Sequence, residues 1–226
     1  MSDPIERLHV SGSGHASGSV HVSGSGHVSG SVHVSESGHA FNAVRGEQKM
    51  PVRLQVNGER IERELLVRQH LVDFLREDLG LTGSHLGCEH GVCGACSVLV
   101  DGELVRGCLM LAVQAQGKQV QTIEALSDSG ELAILQQAFL EHNAMQCGFC
   151  TPGMLLTARA LMQEVHAPSR ERIREYISGN YCRCTGYQAI VDAIETAIKR
   201  RHALEALHAL GQQKVSNTGE PEGASV

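Results

Sequence analysis

From about residue 50 the chain alternates apolar and polar positions. PVRLQVNGERIERELL reads as two strands joined at Asn57-Gly58, a dipeptide suited to the two left-handed residues of a tight hairpin turn. The period then lengthens. In HLVDFLREDLG, Leu71, Phe74, Leu75 and Leu79 recur at helical spacing and Gly80 ends the run. A loop rich in Gly and Cys leads to Cys96, and a second hairpin, Ser97 to Val100 and Glu103 to Arg106, turns at Asp101-Gly102. Cys108 opens a predicted short helix to about Gln116, and Val120 to Ile123 reads as a last strand. These elements suit a small mixed sheet with one helix packed across it.

After a connector at Glu124 to Gly130 the pattern is helical, with helices predicted at about 131–142, 152–165, 169–178 and 188–209. Thr151-Pro152 reads as a cap followed by proline at the first helical position, and Pro168-Ser169 as another start. Gly179 and Gly186 stop and restart the chain between the last two helices. Four short helices predict a compact bundle with Leu155, Leu156 and Leu161 in its core. Four segments follow: a low-complexity extension at 1–48, a sheet-forming domain at 49–124, a helical domain at 125–210 and a disordered tail at 211–226.

The extension is a hexad repeat of the SGSGHA type, with His9, His15, His21, His27, His33 and His39 at one position of each repeat. Its Ser/Gly-rich composition predicts a flexible tail that cannot bury enough apolar surface to offset ordering. Read as an extended strand instead, it sets Ser and His on one face, for pairing with a sheet edge or scavenging a divalent metal.

Charge and composition narrow the function. A formal net charge of −6 over 226 residues, with four Phe, three Tyr and no Trp, argues against nucleic acid and against an anionic membrane surface. No apolar run approaches the ~20 residues needed to span a bilayer, and the start lacks a cationic-then-apolar leader, so a cytoplasmic chain is expected. In that reducing compartment eight cysteines read as metal ligands rather than disulfides.

Cys88, Cys93 and Cys96 reproduce the C-x4-C-x2-C loop of plant-type [2Fe–2S] proteins, with Cys108 as the fourth ligand. Gly83, Gly87, Gly91 and Gly94 allow the backbone to wrap a cluster closely, with amide N–H groups pointing at the sulfurs. Cys147 and Cys150 form a C-x2-C pair, and Cys182 and Cys184 a distant C-x-C pair. On spacing alone this second set fits either a second [2Fe–2S] cluster or a structural zinc ion. His85 and His90 flank the first set, where four cysteines already complete the ligands, and read as solvent-facing. Met145 and Phe149 read as an apolar cover beside Cys147.

Three stretches, LTGSHLGCEHGVCGACSVLVDG, MQCGFCTPGMLL and GNYCRCTGY, in this order closely resemble the small iron–sulfur subunit of the molybdenum hydroxylases, the xanthine oxidase family. The resemblance covers about residues 50–200. It implies an α+β chain, with an N-terminal β-grasp ferredoxin-like domain followed by an all-α four-helix bundle, each holding one [2Fe–2S] cluster. It also implies a large molybdopterin-binding subunit and a medium FAD-binding subunit as partners, assembled as a dimer of heterotrimers. Electrons would run from molybdenum to the bundle cluster, to the ferredoxin cluster, to FAD. By the same resemblance Gln146 and Cys184 lie against the pterin; the local alternative for Gln146 is an ordinary helix-terminal polar residue. A free-standing ferredoxin-like carrier is the alternative for the whole chain.

Overall fold

The structure, a computed structural model, describes residues 48–130 and 132–217, with side chains to 210. The histidine hexads therefore lie outside the described residues, as does the chain beyond Asn217. Strands β1 (Lys49–Val56) and β2 (Glu59–Leu66) pair antiparallel, and their turn has positive φ at both Asn57 and Gly58, as the dipeptide predicts. Helix α1 (Leu71–Asp73) runs on into a π-helical turn (Phe74–Asp78), with Leu71, Phe74 and Leu75 fully buried. Strands β3 (Ser97–Val100) and β4 (Glu103–Arg106) form the second hairpin, and β5 (Gln119–Gln121) lies between the two hairpins. The sheet order is β2-β1-β5-β3-β4, with β1 and β5 parallel and the other pairs antiparallel.

Three expectations shift here. The helix expected to open at Cys108 is a single 3-10 turn, Ala112–Ala115, because Leu111 first makes an extended bridge to His70. The last strand ends at Gln121, and the segment read as a connector is helix α2 (Ile123–Asp128). Ile123 and Leu126 are buried among the helices that follow, and this burial, not local periodicity, holds so short a helix.

The remaining helices are α3 (Ala133–Glu141), α4 (Thr151–Glu164), α5 (Arg170–Tyr176) with a 3-10 turn at Ile177–Gly179, and α6 (Gln188–Asn217). Ser169 caps α5 by accepting from the Arg172 N–H at 3.2 Å. Helix α4 starts one residue earlier than expected: Thr151 is its first residue and Cys150 occupies the cap. Helix α6 passes Gly211, where disorder is expected, and continues to Asn217. Leu155, Leu156 and Leu161 are buried as the pattern predicts.

Strand β3 joins two cores. Val98 and Val100 face a core with Val52, Leu54, Phe74 and Leu75, whereas Leu99 faces one with Leu126, Met154, Leu156 and Ile194. Alternate residues of a strand point to opposite faces, so the sheet is covered on both sides and all four residues of β3 are buried. That second contact brings the N-terminus of α4 beside the cysteine loop.

Candidate metal centres

Three cysteines of the first set, Cys88, Cys93 and Cys96, lie in the loop between the π-helical turn after α1 and β3, and the fourth, Cys108, follows β4. Arg76 ties the start of that loop by donating to the carbonyls of Thr82 and Ser84, both at 2.7 Å, and the His85 N–H donates to Ala95 C=O at 3.0 Å. Cys96 and Cys108 are buried and touch through their thiols; Cys88 and Cys93 form an outer, half-buried pair. The N–H groups of His90 and Cys93 donate to Cys88 Sγ at 3.4 and 3.5 Å. These donors, His90 first, pull the Cys88 thiol down to about 6, whereas burial pushes Cys96 up to about 11.

The second set gathers where α3 ends, α4 begins and the chain enters α6. Cys184 donates to Cys147 Sγ at 3.5 Å, and both are exposed; Cys150 pairs with Cys182, both half-buried. Burial pushes Cys150 up to about 12. At Cys182 burial also works upward, but the hydroxyl and N–H of Thr185 and the N–H of Cys184 outweigh it and lower the thiol. The Thr185 hydroxyl lies 3.2 Å from Cys182 Sγ, and the Tyr187 hydroxyl accepts from the Cys182 N–H at 2.9 Å.

Both sets thus resolve into two thiol pairs, an inner and an outer one. A tetrahedral zinc ion with Zn–S of about 2.3 Å would bring all four sulfurs within about 3.8 Å of one another. Among the described residues, the one group of His, Cys, Asp or Glu with three ligand atoms inside 4.8 Å contains no cysteine. Two irons taking two thiolates each would use pairs of this kind, and the N–H and O–H donors at the sulfurs suit an anionic cluster. The residues present therefore fit two [2Fe–2S] centres. Such centres supply one-electron oxidation and reduction.

The two loops interlock. The Tyr181 N–H donates to Cys93 C=O at 2.8 Å, so one peptide joins a residue of the first set to the neighbour of Cys182. Gly94 has φ +74°, and a Cβ there would sit 2.6 Å from the Gly179 carbonyl and from the Asn180 amide. Asn180 is buried, donates to Gly94 C=O at 3.3 Å and accepts from Thr157 Oγ1 at 2.9 Å. Arg106 bridges Ser97 and the Gly179 carbonyl. Neither Thr157 nor Arg106 stands out in the sequence, where each resembles an ordinary polar residue, and Asn180, although inside the GNYCRCTGY stretch, carries no local sign of this role.

His90 is exposed as expected, and His85 is half-buried. Its ring stacks on Phe149 at 4.7 Å, and its Nδ1 lies 2.7 Å from the Phe149 carbonyl. Phe149 accordingly leans on the first loop instead of covering Cys147, and remains 46% exposed. Gln146 is exposed, on the same stretch as exposed Cys147.

A sheet-and-helix chain presenting two adjoining four-thiol sites is a two-cluster iron–sulfur protein. A 2Fe-2S iron-sulfur cluster binding domain matches residues 54–138, and a [2Fe-2S] binding domain matches residues 122–195. The chain is 57% identical over 148 residues to the caffeine dehydrogenase subunit gamma of Pseudomonas sp. (strain CBB1), covering 64% of this chain and 89% of that one. It is 51% identical over 146 residues to the nicotine 6-hydroxylase small subunit of Paenarthrobacter nicotinovorans, with 65% and 88% covered. The solved quinoline 2-oxidoreductase of Pseudomonas putida 86 aligns with TM-score 0.64 and 50% identity, over 69% of this chain and 98% of that chain. The chain belongs to the small [2Fe–2S] subunits of the molybdenum hydroxylase family. Such subunits serve oxidoreductase complexes and are not catalytic alone.

Proposed function

We propose that the chain is the electron-transfer subunit of a molybdopterin-dependent hydroxylase or dehydrogenase. Cys88, Cys93, Cys96 and Cys108 hold one [2Fe–2S] cluster, and Cys147, Cys150, Cys182 and Cys184 the other. In this reading it relays electrons singly from the molybdenum cofactor, by way of the C-terminal and then the N-terminal cluster, to FAD. The observation that carries it is the pairing of all eight thiols in two sites whose loops are joined by the Tyr181–Cys93 hydrogen bond. The first domain, 49–124, is a β-grasp ferredoxin module, and the second, 125–210, packs its helices as a four-helix unit around the other cluster.

The partners are a large molybdopterin-binding subunit and a medium FAD-binding subunit, in a dimer of heterotrimers. Exposed apolar side chains at the cysteine sites support docking there: Val92, Leu109 and Phe149 against the first loop, Tyr181 beside Cys182 of the second set. Gln146 and Cys184 are both exposed, as contact with the pterin requires. Eight thiol ligands suit the reducing cytoplasm. Relatives named for caffeine, nicotine and quinoline support an N-heteroaromatic substrate for the complex, chosen in the large subunit.

Native purification with mass identification of the companions tests this. A red-brown complex with about four irons per chain and both partner subunits is the expected result. A colourless zinc protein would sink the reading, and a red-brown chain purified alone would favour the free-standing carrier.

A further inference from the structure

Away from both cysteine sites, His166 in the turn after α4 meets His202 and Glu205, which lie about one turn apart on α6. Among the described residues, these three alone bring ligand atoms of three His, Cys, Asp or Glu side chains within 4.8 Å of one another. His166 Nε2 is 3.3 Å from Glu205 Oε2, the edge of a tetrahedron whose ligands stand about 2.0 Å from a central ion. The two imidazoles stack with centroids 4.1 Å apart.

His202 carries the second observation. Its Nε2 lies 2.7 Å from the His166 carbonyl, an acceptor only, so that nitrogen donates and Nδ1 keeps the free lone pair. Ligating imidazoles are oriented in this way, with one nitrogen donating to a carbonyl and the other facing the ion. Arg201 donates to the same carbonyl at 3.1 Å, fixing the turn against the helix.

We propose that His166, His202 and Glu205 form a site for a divalent transition ion of borderline hardness, Zn²⁺ or Ni²⁺, that clips α6 to the turn between α4 and α5. Two imidazoles and a carboxylate suit these ions, with water completing the shell. Two of the site's three ligands, His202 and Glu205, lie beyond residue 195, where the matched [2Fe-2S] binding domain ends, and His166 lies within that domain. The site has structural work to do on α6, because every residue from Ala203 to Leu210 is exposed and little packing holds that part of the helix. Binding opens the stack by tilting the rings so that His166 Nε2 and His202 Nδ1 meet one ion.

The test is hydrogen exchange of peptides from residues 197–210 in the full, cluster-loaded chain with and without Ni²⁺. At free Ni²⁺ about ten times Kd, exchange in this stretch should slow about tenfold. His166→Asn, His202→Asn and Glu205→Gln should each abolish the slowing and leave the visible cluster absorbance unchanged. The hexad histidines are intact in all three variants, so ions held there contribute an equal background. Glu205 is exposed, so Glu205→Gln remains informative if a histidine variant misfolds. Unchanged exchange in 197–210 at saturating Ni²⁺, or slowing that survives both His202→Asn and Glu205→Gln, overturns the proposal. Either result leaves the electron-transfer reading untouched, since that rests on the cysteines alone.

Discussion

Thr185 illustrates what one side chain does at a cluster ligand. Its hydroxyl, 3.2 Å from Cys182 Sγ, stabilises negative charge on that sulfur, and reduction adds negative charge. Thr185→Val should therefore lower the potential of the second cluster by about 60 mV, the one-electron equivalent of a hydrogen bond of about 1.4 kcal/mol. Thr185→Ser should restore it. A redox titration followed by electron paramagnetic resonance reads both variants, and an unshifted Val variant would assign the hydroxyl to the loop, where it also accepts from the Tyr187 N–H. Cys182→Ser is expected to abolish the second cluster's resonance signal and substrate-driven flavin reduction, leaving the first signal in place. Loss of both signals would make the two sites one cooperative unit. All eight cysteines were legible from spacing. The pairing of Cys147 with Cys184 and of Cys150 with Cys182 was not, because it depends on how three chain segments converge.

At the scale of elements, the contact between α4 and the first cysteine loop decides the arrangement. Gly153 sits so close to the Gly94 carbonyl that any Cβ would collide with it, and the loop cannot yield because Gly94 is itself held against Gly179 and Asn180. Gly153→Ala should cost about 1–3 kcal/mol, seen as a lower midpoint in thermal unfolding of the cluster-loaded chain. Asn180→Ala strips partners from a buried hydroxyl and a buried carbonyl and should cost a similar amount, about 1–3 kcal/mol. The hairpins were readable because Asn57-Gly58 and Asp101-Gly102 carry their turn geometry locally. Helix α2 was not, because six residues show too little period, and its stability comes from burying Ile123 and Leu126.

At the scale of the whole molecule, the described residues from 48 to 217 belong to one compact unit, and both family matches fall between residues 54 and 195. Removing residues 1–45 should leave iron content and both resonance signals unchanged. If the histidine hexads dock onto a partner, the same deletion should release the partner subunits in size-exclusion chromatography. The described residues contain no helix long and apolar enough to cross a membrane.

The sequence by itself determined the two four-cysteine motifs, the two hairpins, the core stripe of α4 and the family, because each depends on residue type at short spacing. Only the tertiary structure decided how the thiols pair, that His85 stacks on Phe149, and that Asn180, Thr157 and Gly94 lock the two loops together. These features join residues far apart in the chain, and the long-range packing of α4 against β3 that brings them together leaves no local pattern.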